Sequence, residues 1–295
     1  MKNKYFVSIV GKSNVGKSTL INHLCEQYVT SESSKPETTR LNIIAETMLD
    51  DLNLIIIDTP GLSIKDSDLL STAMKNSYLK SLEELDLLII LSDITKSKNF
   101  EKNILDIIKT EKTKAVIVIN KIDLFSEKLT EYQEFKKCII KLFKEQVFFI
   151  SLRNHEGLSS FIKNGILKEL RNSKIKNKRK FDKKRNELIE IQELIRGVII
   201  NNTYQELPYD AAVMINKSTN AKSVYKIDAS IFVDKINQRK ILIGGNGDMI
   251  KLIGSKSRNL LESKYNKKFY LKLNVCVKKN WKNNYSFLKE IGYIA

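Results

Sequence analysis

Cysteine is scarce in this chain: three in 295 residues, Cys25, Cys138 and Cys276, far apart and without a CxxC pair. That excludes a disulfide framework and points to a reducing compartment. Histidine is scarcer still, with only His23 and His155, too few ligands for a zinc site. No apolar run approaches the roughly 20 residues that span a bilayer. The apolar stretch before Gly11 is too short for a signal sequence, so a cytosolic protein is expected. What is present is ample for folding: 42% of the residues are apolar, and the length suits two domains.

Acidic residues are also in short supply, but only in one half. Residues 1–165 carry 23 Lys/Arg against 22 Asp/Glu, whereas residues 166–295 carry 28 against 12, so nearly all of the net +17 lies in the second part. A general lysine-rich bias would spread its charge evenly. Such an excess in one half is the footprint of a surface for a polyanion, with RNA, DNA and anionic membrane as the candidates.

The first half opens on a strand-like run, "YFVSIV", followed by "GKSNVGKST" and a stretch with apolar residues at helical spacing. Gly11 and Gly16 bracket four residues and Lys17-Ser18 follow, the spacing of a loop that wraps phosphates. Plain turns also use glycine. Here a strand feeds a helix through the loop, so the amides of Gly11, Lys12, Ser13, Asn14, Val15, Gly16, Lys17, Ser18 and Thr19 can converge on phosphate oxygens at a helix N-terminus. Lys17 reaches the β- and γ-phosphates and the Ser18 hydroxyl can ligate Mg²⁺.

Further uniform apolar runs at 52–61, 85–93, 114–123 and 146–151 predict strands of a mostly parallel sheet covered on both faces, with ligands at the carboxyl ends. Asp58 ends one strand, Asn120 and Asp123 another, Ser151 a third. "DTPG" supplies the Asp58 carboxylate for the Mg²⁺ shell and the Gly61 N–H for a γ-phosphate. "NKID" supplies an Asp123 carboxylate that accepts from both N1–H and N2–H₂ of guanine, a donor pair adenine lacks. Asn120 can reach the purine edge, and Lys121 can lie over the ring. An ATP-using P-loop kinase or transport ATPase does not need "NKID", and a tandem GTPase would need a second phosphate loop, which residues 166–295 lack.

The second half starts after a charge run, "KNKRKFDKKR", with an amphipathic helical pattern. Two alternating strands follow, then two helices around Gly244-Gly245-Asn246-Gly247, then a last strand. A GxxG turn between helices brings backbone close to a sugar-phosphate strand and clamps about four nucleotides. Ile243 and Ile250 can bed bases, with Lys251, Lys256 and Arg258 nearby.

"GKSNVGKS", "KPETTR", "DTPGL", "NKID", "ELPYD", "ILIGGNGDMIKLIG" and "CVKKNWKNNYSFLKEIGYI" together resemble the Era family of bacterial ribosome-assembly GTPases, over essentially the whole chain. The resemblance implies an α/β P-loop GTPase domain with a mostly parallel sheet at 1–168, a basic linker at 169–183, and an α+β type II KH domain at 184–295. It implies GTP/GDP and Mg²⁺ as ligands, 16S rRNA and the 30S subunit as partners, and peripheral contact with the inner membrane face. By position, Thr38 and Thr39 fall at the first switch, Thr39 being the favoured Mg²⁺ ligand. Asn14 matches the asparagine that holds K⁺ beside the phosphates in relatives. Thr59, Pro60 and Leu62 complete the loop around Gly61, Ile122 lies within the base motif, and Ser151-Leu152 stand where the family has Ser-Ala, whose base contact comes from backbone.

Lys17, Thr39 and Gly61 are then the expected transition-state contacts. No general base is assignable, because Leu62 stands where Ras-like enzymes place glutamine and His155 reads as an ordinary loop histidine. The resemblance implies slow intrinsic hydrolysis. The alternative is a GTP-dependent basic adaptor for RNA or anionic membrane with negligible hydrolysis.

Overall fold

A computed structural model describes residues 4–26, 29, 40–59, 68–82, 85–94, 114–125, 129–142, 146–173 and 182–294. The chain divides into two compact units, one of residues 1–26, 44–63 and 79–180, the other of residues 27–43, 64–78 and 181–295.

The first unit is built on a six-stranded sheet of β1 (Lys4–Val10), β2 (Ile43–Leu49), β3 (Leu52–Asp58), β4 (Leu87–Asp93), β5 (Ala115–Asn120) and β6 (Val147–Phe149), in the order β2-β3-β1-β4-β5-β6. β1 pairs in parallel with β3 on one side and β4 on the other, β4 with β5, and β5 with β6. The uniform runs are buried throughout β4 and nearly so in β1, β3 and β5, as a sheet covered on both faces requires. Because β1 has β3 on one side and β4 on the other, the chain reverses its winding direction there. The loop after β1 therefore opens at a topological switch point. The first unit also carries α1 (Lys17–Cys25), α3 (Leu129–Leu142) and α4, which continues through Leu158–Ser160, a π-wound Phe161–Leu167 and Lys168–Arg171; most of α2 (Leu69–Leu82) belongs to the second unit.

The structure departs from the sequence expectations at two places. β2 is an additional strand, hidden in the sequence because "IIAETML" alternates buried with exposed positions instead of running apolar; it is an edge strand joined to β3 by the two-residue turn Asp50-Asp51. Asp123 and Ser151 do not end strands. β5 stops at Asn120 because Lys121 takes a left-handed φ of 66°, placing Asp123 on a 3₁₀ turn, Ile122–Phe125. β6 stops at Phe149, and Ser151 instead bridges Glu156.

The second unit carries α5 (Lys183–Asn202), α6 (Leu207–Asp210), β7 (Ala212–Asn220), β8 (Val224–Val233), α7 (Ile236–Ile243), α8 (Asp248–Tyr265), β9 (Lys268–Val277) and α9 (Tyr285–Glu290). α5 starts where the Asp182 carboxylate accepts from the Arg185 N–H at 3.1 Å. β8 pairs antiparallel with β7 and parallel with β9. One face of this sheet packs on the helices through Ile191, Ile195, Ile199, Ile227, Ile231, Leu242, Ile253 and Leu261. A second core gathers Leu41, Leu70, Met74, Ala212, Trp281, Phe287, Leu288, Ile291 and Tyr293. Among the described residues no helix is long and apolar enough to cross a membrane.

Within this unit one buried carboxylate binds an arginine guanidinium and the backbone N–H of a second arginine. Arg196 donates Nε and Nη2 to Glu193 at 2.9 and 2.8 Å, and the Arg40 backbone N–H reaches Glu193 Oε2 at 3.0 Å. The Arg40 guanidinium donates to the carbonyls of Ala211 and Tyr209 at 2.9 and 2.6 Å. All three charged residues are at most 2% exposed. Neutralising one partner of a buried ion pair is costly, so Glu193→Gln is expected to destabilise this unit by about 3 kcal/mol. Urea unfolding followed by fluorescence of Trp281, the one tryptophan and fully buried in the same unit, measures it; an unchanged midpoint contradicts the role given to Glu193.

Candidate functional site

The loop between β1 and α1 is held open by its own lysine. Lys17, 8% exposed, donates its ammonium to the carbonyls of Gly11 and Lys12 at 3.0 and 2.9 Å, which places a cation inside the curve of the loop. Gly16 caps α1 with φ 106°, and a Cβ there would stand 2.6 Å from Asn120 Nδ2. Only glycine tolerates both the angle and the approach. The amides at the start of α1 and the helix dipole thus face the same concavity as Lys17, the arrangement that favours phosphate.

Adjacent strand ends add the remaining groups. Asp58, 1% exposed, ends β3 in register with Ile9, and Thr59 Oγ1 donates to the Ile9 carbonyl at 2.9 Å, tying the loop after β3 to β1. Ser18 lies in the first turn of α1. A hydroxyl and a carboxylate are hard oxygen donors and fit Mg²⁺. Thr38, Thr39, Pro60, Gly61 and Leu62 lie outside the described residues.

The base-motif residues come together on the other side of the phosphate loop. Asn120, 3% exposed, is a brace: Nδ2 donates to the Val15 carbonyl at 2.9 Å, and Oδ1 accepts from the Leu152 N–H at 3.1 Å. The Leu152 amide, expected at the base, is thus given to Asn120 in this structure. Lys121 extends across Asn14, donating to its carbonyl at 2.7 Å and to Asp93 at 2.8 Å. Asp93, fully buried at the end of β4, is a partner the sequence reading missed; a carboxylate ending a buried strand was the available signal. Asp123 Oδ1 accepts from Ser151 Oγ at 2.7 Å, and Ser151 Oγ in turn accepts from the Asn154 N–H at 3.1 Å. The carboxylate is thereby fixed in rotation. His155, with φ 58°, packs its ring against His23 with centroids 4.7 Å apart.

In the second unit the turn between α7 and α8 is compact. Gly244 has φ 76° and its Cβ would meet the Met249 nitrogen at 2.7 Å, so the first glycine is obligatory. Asn246 takes φ 55° and Gly247 caps α8 with φ 79°. Beside the turn, Ile250, Lys251, Gly254, Ser255, Arg258, Leu271 and Leu273 line a groove of about 320 Å³. A Cβ at Gly254 would lie 3.8 Å from Leu273, an ordinary contact. Ile243 is half-buried at the end of α7. Lys251 donates to the Asn246 carbonyl at 3.2 Å. Lys256 does not join the groove: its ammonium is bonded to Asn202 Oδ1 at the end of α5, because it lies on another face of α8. Gly254, Ser255, Leu271 and Leu273 were missed, although Gly254 and Arg258 follow Ile250 at helical spacing.

Known proteins match both units. A family of 50S ribosome-binding GTPases matches residues 6–121, and the KH domain family matches residues 206–282. The chain is 35% identical to the GTPase Era of Lactobacillus delbrueckii subsp. bulgaricus, over 98% of this chain and 95% of the relative, and 32% identical to that of a Thermoanaerobacter species with the same coverage. Two crystal structures align over the full length of both chains at 29% identity: a point variant of Aquifex aeolicus Era bound to GDP·AlF₄⁻, with a TM-score of 0.83, and Era in complex with MgGDPNP and nucleotides 1506–1542 of 16S ribosomal RNA, with 0.86. The doubly wound first unit is thus a P-loop GTPase domain and the second carries a KH domain. With such likeness along nearly its whole length, the chain belongs to the Era family of GTPases.

Proposed function

We propose that this chain binds GTP and GDP with Mg²⁺ at the strand ends of its first unit, hydrolyses GTP slowly, and holds the 3′ end of 16S rRNA in the groove of its second unit to assist 30S subunit assembly. Residues 1–168 act on nucleotide, 184–295 on RNA, and the basic segment 169–183 joins them. The observation that carries the nucleotide assignment is the Asp123 carboxylate fixed by Ser151 beside a loop whose interior holds Lys17.

In hydrolysis the protein's task is to position the γ-phosphate and balance its charge. Lys17 supplies a buried cation, the amides of residues 13–18 bind phosphate oxygens, and Ser18, Asp58 and Thr39 would hold Mg²⁺, which would offset the charge of the phosphates. Gly61 would give its N–H to the γ-phosphate. Asn14, with φ 64°, stands in the loop where a bound K⁺ would supply the positive charge that an arginine supplies elsewhere. Hydrolysis is therefore expected to run several-fold faster in K⁺ than in Na⁺ at equal ionic strength; equal rates remove the K⁺ role.

A second reading, a GTP-dependent adaptor for RNA or anionic membrane with negligible hydrolysis, draws on Leu62 standing where a water-orienting glutamine would be. A single-turnover assay with [γ-³²P]GTP, with and without 30S particles, separates the two. Phosphate release above the uncatalysed rate, raised by the particles, supports the enzyme; no release in either condition supports the adaptor.

A further inference from the structure

The three-stranded sheet of the second unit has one face packed on helices and another that divides in two. Where Ala212 pairs with Phe232, the chain around Trp281, Phe287 and Leu288 packs against Ala212, Met214 and Phe232. The other end of that face is exposed. Tyr270, on β9, is 59% exposed. Lys226 stands directly across from it on β8, Lys268 and Lys272 lie two residues either side on the same face of β9, and Lys217 follows on β7 in register with Asp228. The single acid there is engaged: Asn216 donates to Asp228 at 3.0 Å and Lys272 pairs with it at 3.0 Å, and together they hold its carboxyl below the usual range. Lys217, Lys226 and Lys268 have no ion pair among the described residues.

An exposed aromatic ring among unpaired lysines offers a stacking platform and phosphate contacts at once, the two interactions by which single strands are held. The surface is also continuous with the groove. β9 is an edge strand, and its side chains alternate: Leu271 and Leu273 line the groove, while Tyr270 and Lys272 point to the open face. RNA leaving the groove has only one strand edge to round. We infer that this open face, Tyr270 with Lys217, Lys226 and Lys268, is a second RNA-contact surface that takes the single-stranded continuation of the RNA held in the groove. The inference rests on the reading of the groove as an RNA site.

The test uses the full chain and two labelled RNAs: nucleotides 1506–1542 of 16S rRNA, and a piece of about six nucleotides from it, enough to fill a clamp of about four. The variants are Tyr270→Ala/Lys226→Ala/Lys268→Ala on the face and Gly245→Asp/Asn246→Asp at the turn, with thermal melting to show that each is folded. The face variant is expected to lose at least about tenfold in affinity for the long RNA, in line with one stacked base and two phosphate contacts, and less than about twofold for the short one. Full affinity for the long RNA, or equal loss on both, overturns the inference. So does a face variant that turns a dimer into a monomer in sedimentation while RNA affinity holds, which would make the face an interface between copies. A turn variant that keeps full affinity for the short RNA instead overturns the reading of the groove, and the inference with it.

Discussion

Asp123→Asn is expected to weaken GTP binding at least about 100-fold and to strengthen binding of xanthosine triphosphate by a comparable factor. A carboxylate at this position accepts from both guanine donors; an amide turns one of those contacts into donor against donor, and a buried mismatch of that kind is what makes hydrogen-bonding sites selective. Xanthine carries a carbonyl where guanine carries its amino group, so the amide gains a partner there. The Ser151 hydroxyl, 2.7 Å from Oδ1, can bond an amide oxygen equally well, and this favours an intact loop in the variant. Equilibrium titration with fluorescent GDP, competed by GTP and by xanthosine triphosphate, reads the switch. Unchanged GTP affinity would remove the guanine assignment.

The second large effect is expected at the turn between α7 and α8. Replacing Gly245 and Asn246 by aspartates sets two negative charges where a phosphate chain must approach. The geometry tolerates both. A Cβ at Gly245 meets nothing within 4 Å, and Asn246, at φ 55°, occupies a region that aspartate shares with asparagine. Binding of the 3′-terminal 16S segment is expected to fall at least about tenfold, about 1.4 kcal/mol, at physiological salt. GTP binding by the first unit should be unchanged. Parental RNA affinity in this variant would mean that the basic surface attracts polyanions without a clamp.

Much of the nucleotide site was legible because its signals are local. Spacing alone marked Gly16 and Lys17, and uniform apolar runs marked β1, β3, β4 and β5, which are buried on both faces. β2 escaped the same rule, since an edge strand shows alternation. The groove beside the turn was half legible: the turn and α8 announced themselves, but Leu271 and Leu273 belong to an alternation whose other phase is Tyr270 and Lys272, and only the sheet's packing decides which phase meets α8. Lys256 shows a related effect. It follows the turn in sequence, yet the helix rotates it toward Asn202. The buried set of Arg40, Glu193 and Arg196 left no trace in composition, because a buried charge and a solvated one are the same letter until distant segments meet.

We propose that this GTPase also recognises one RNA end through its second unit. Ultraviolet crosslinking of the full chain to cellular RNA, followed by sequencing of the bound fragments, tests it most directly. Reads are expected to concentrate at the 3′ end of 16S rRNA and to be lost from that position when Gly245 and Asn246 are both replaced by aspartate. Reads that follow RNA abundance along the whole transcriptome, in parent and variant alike, would contradict it.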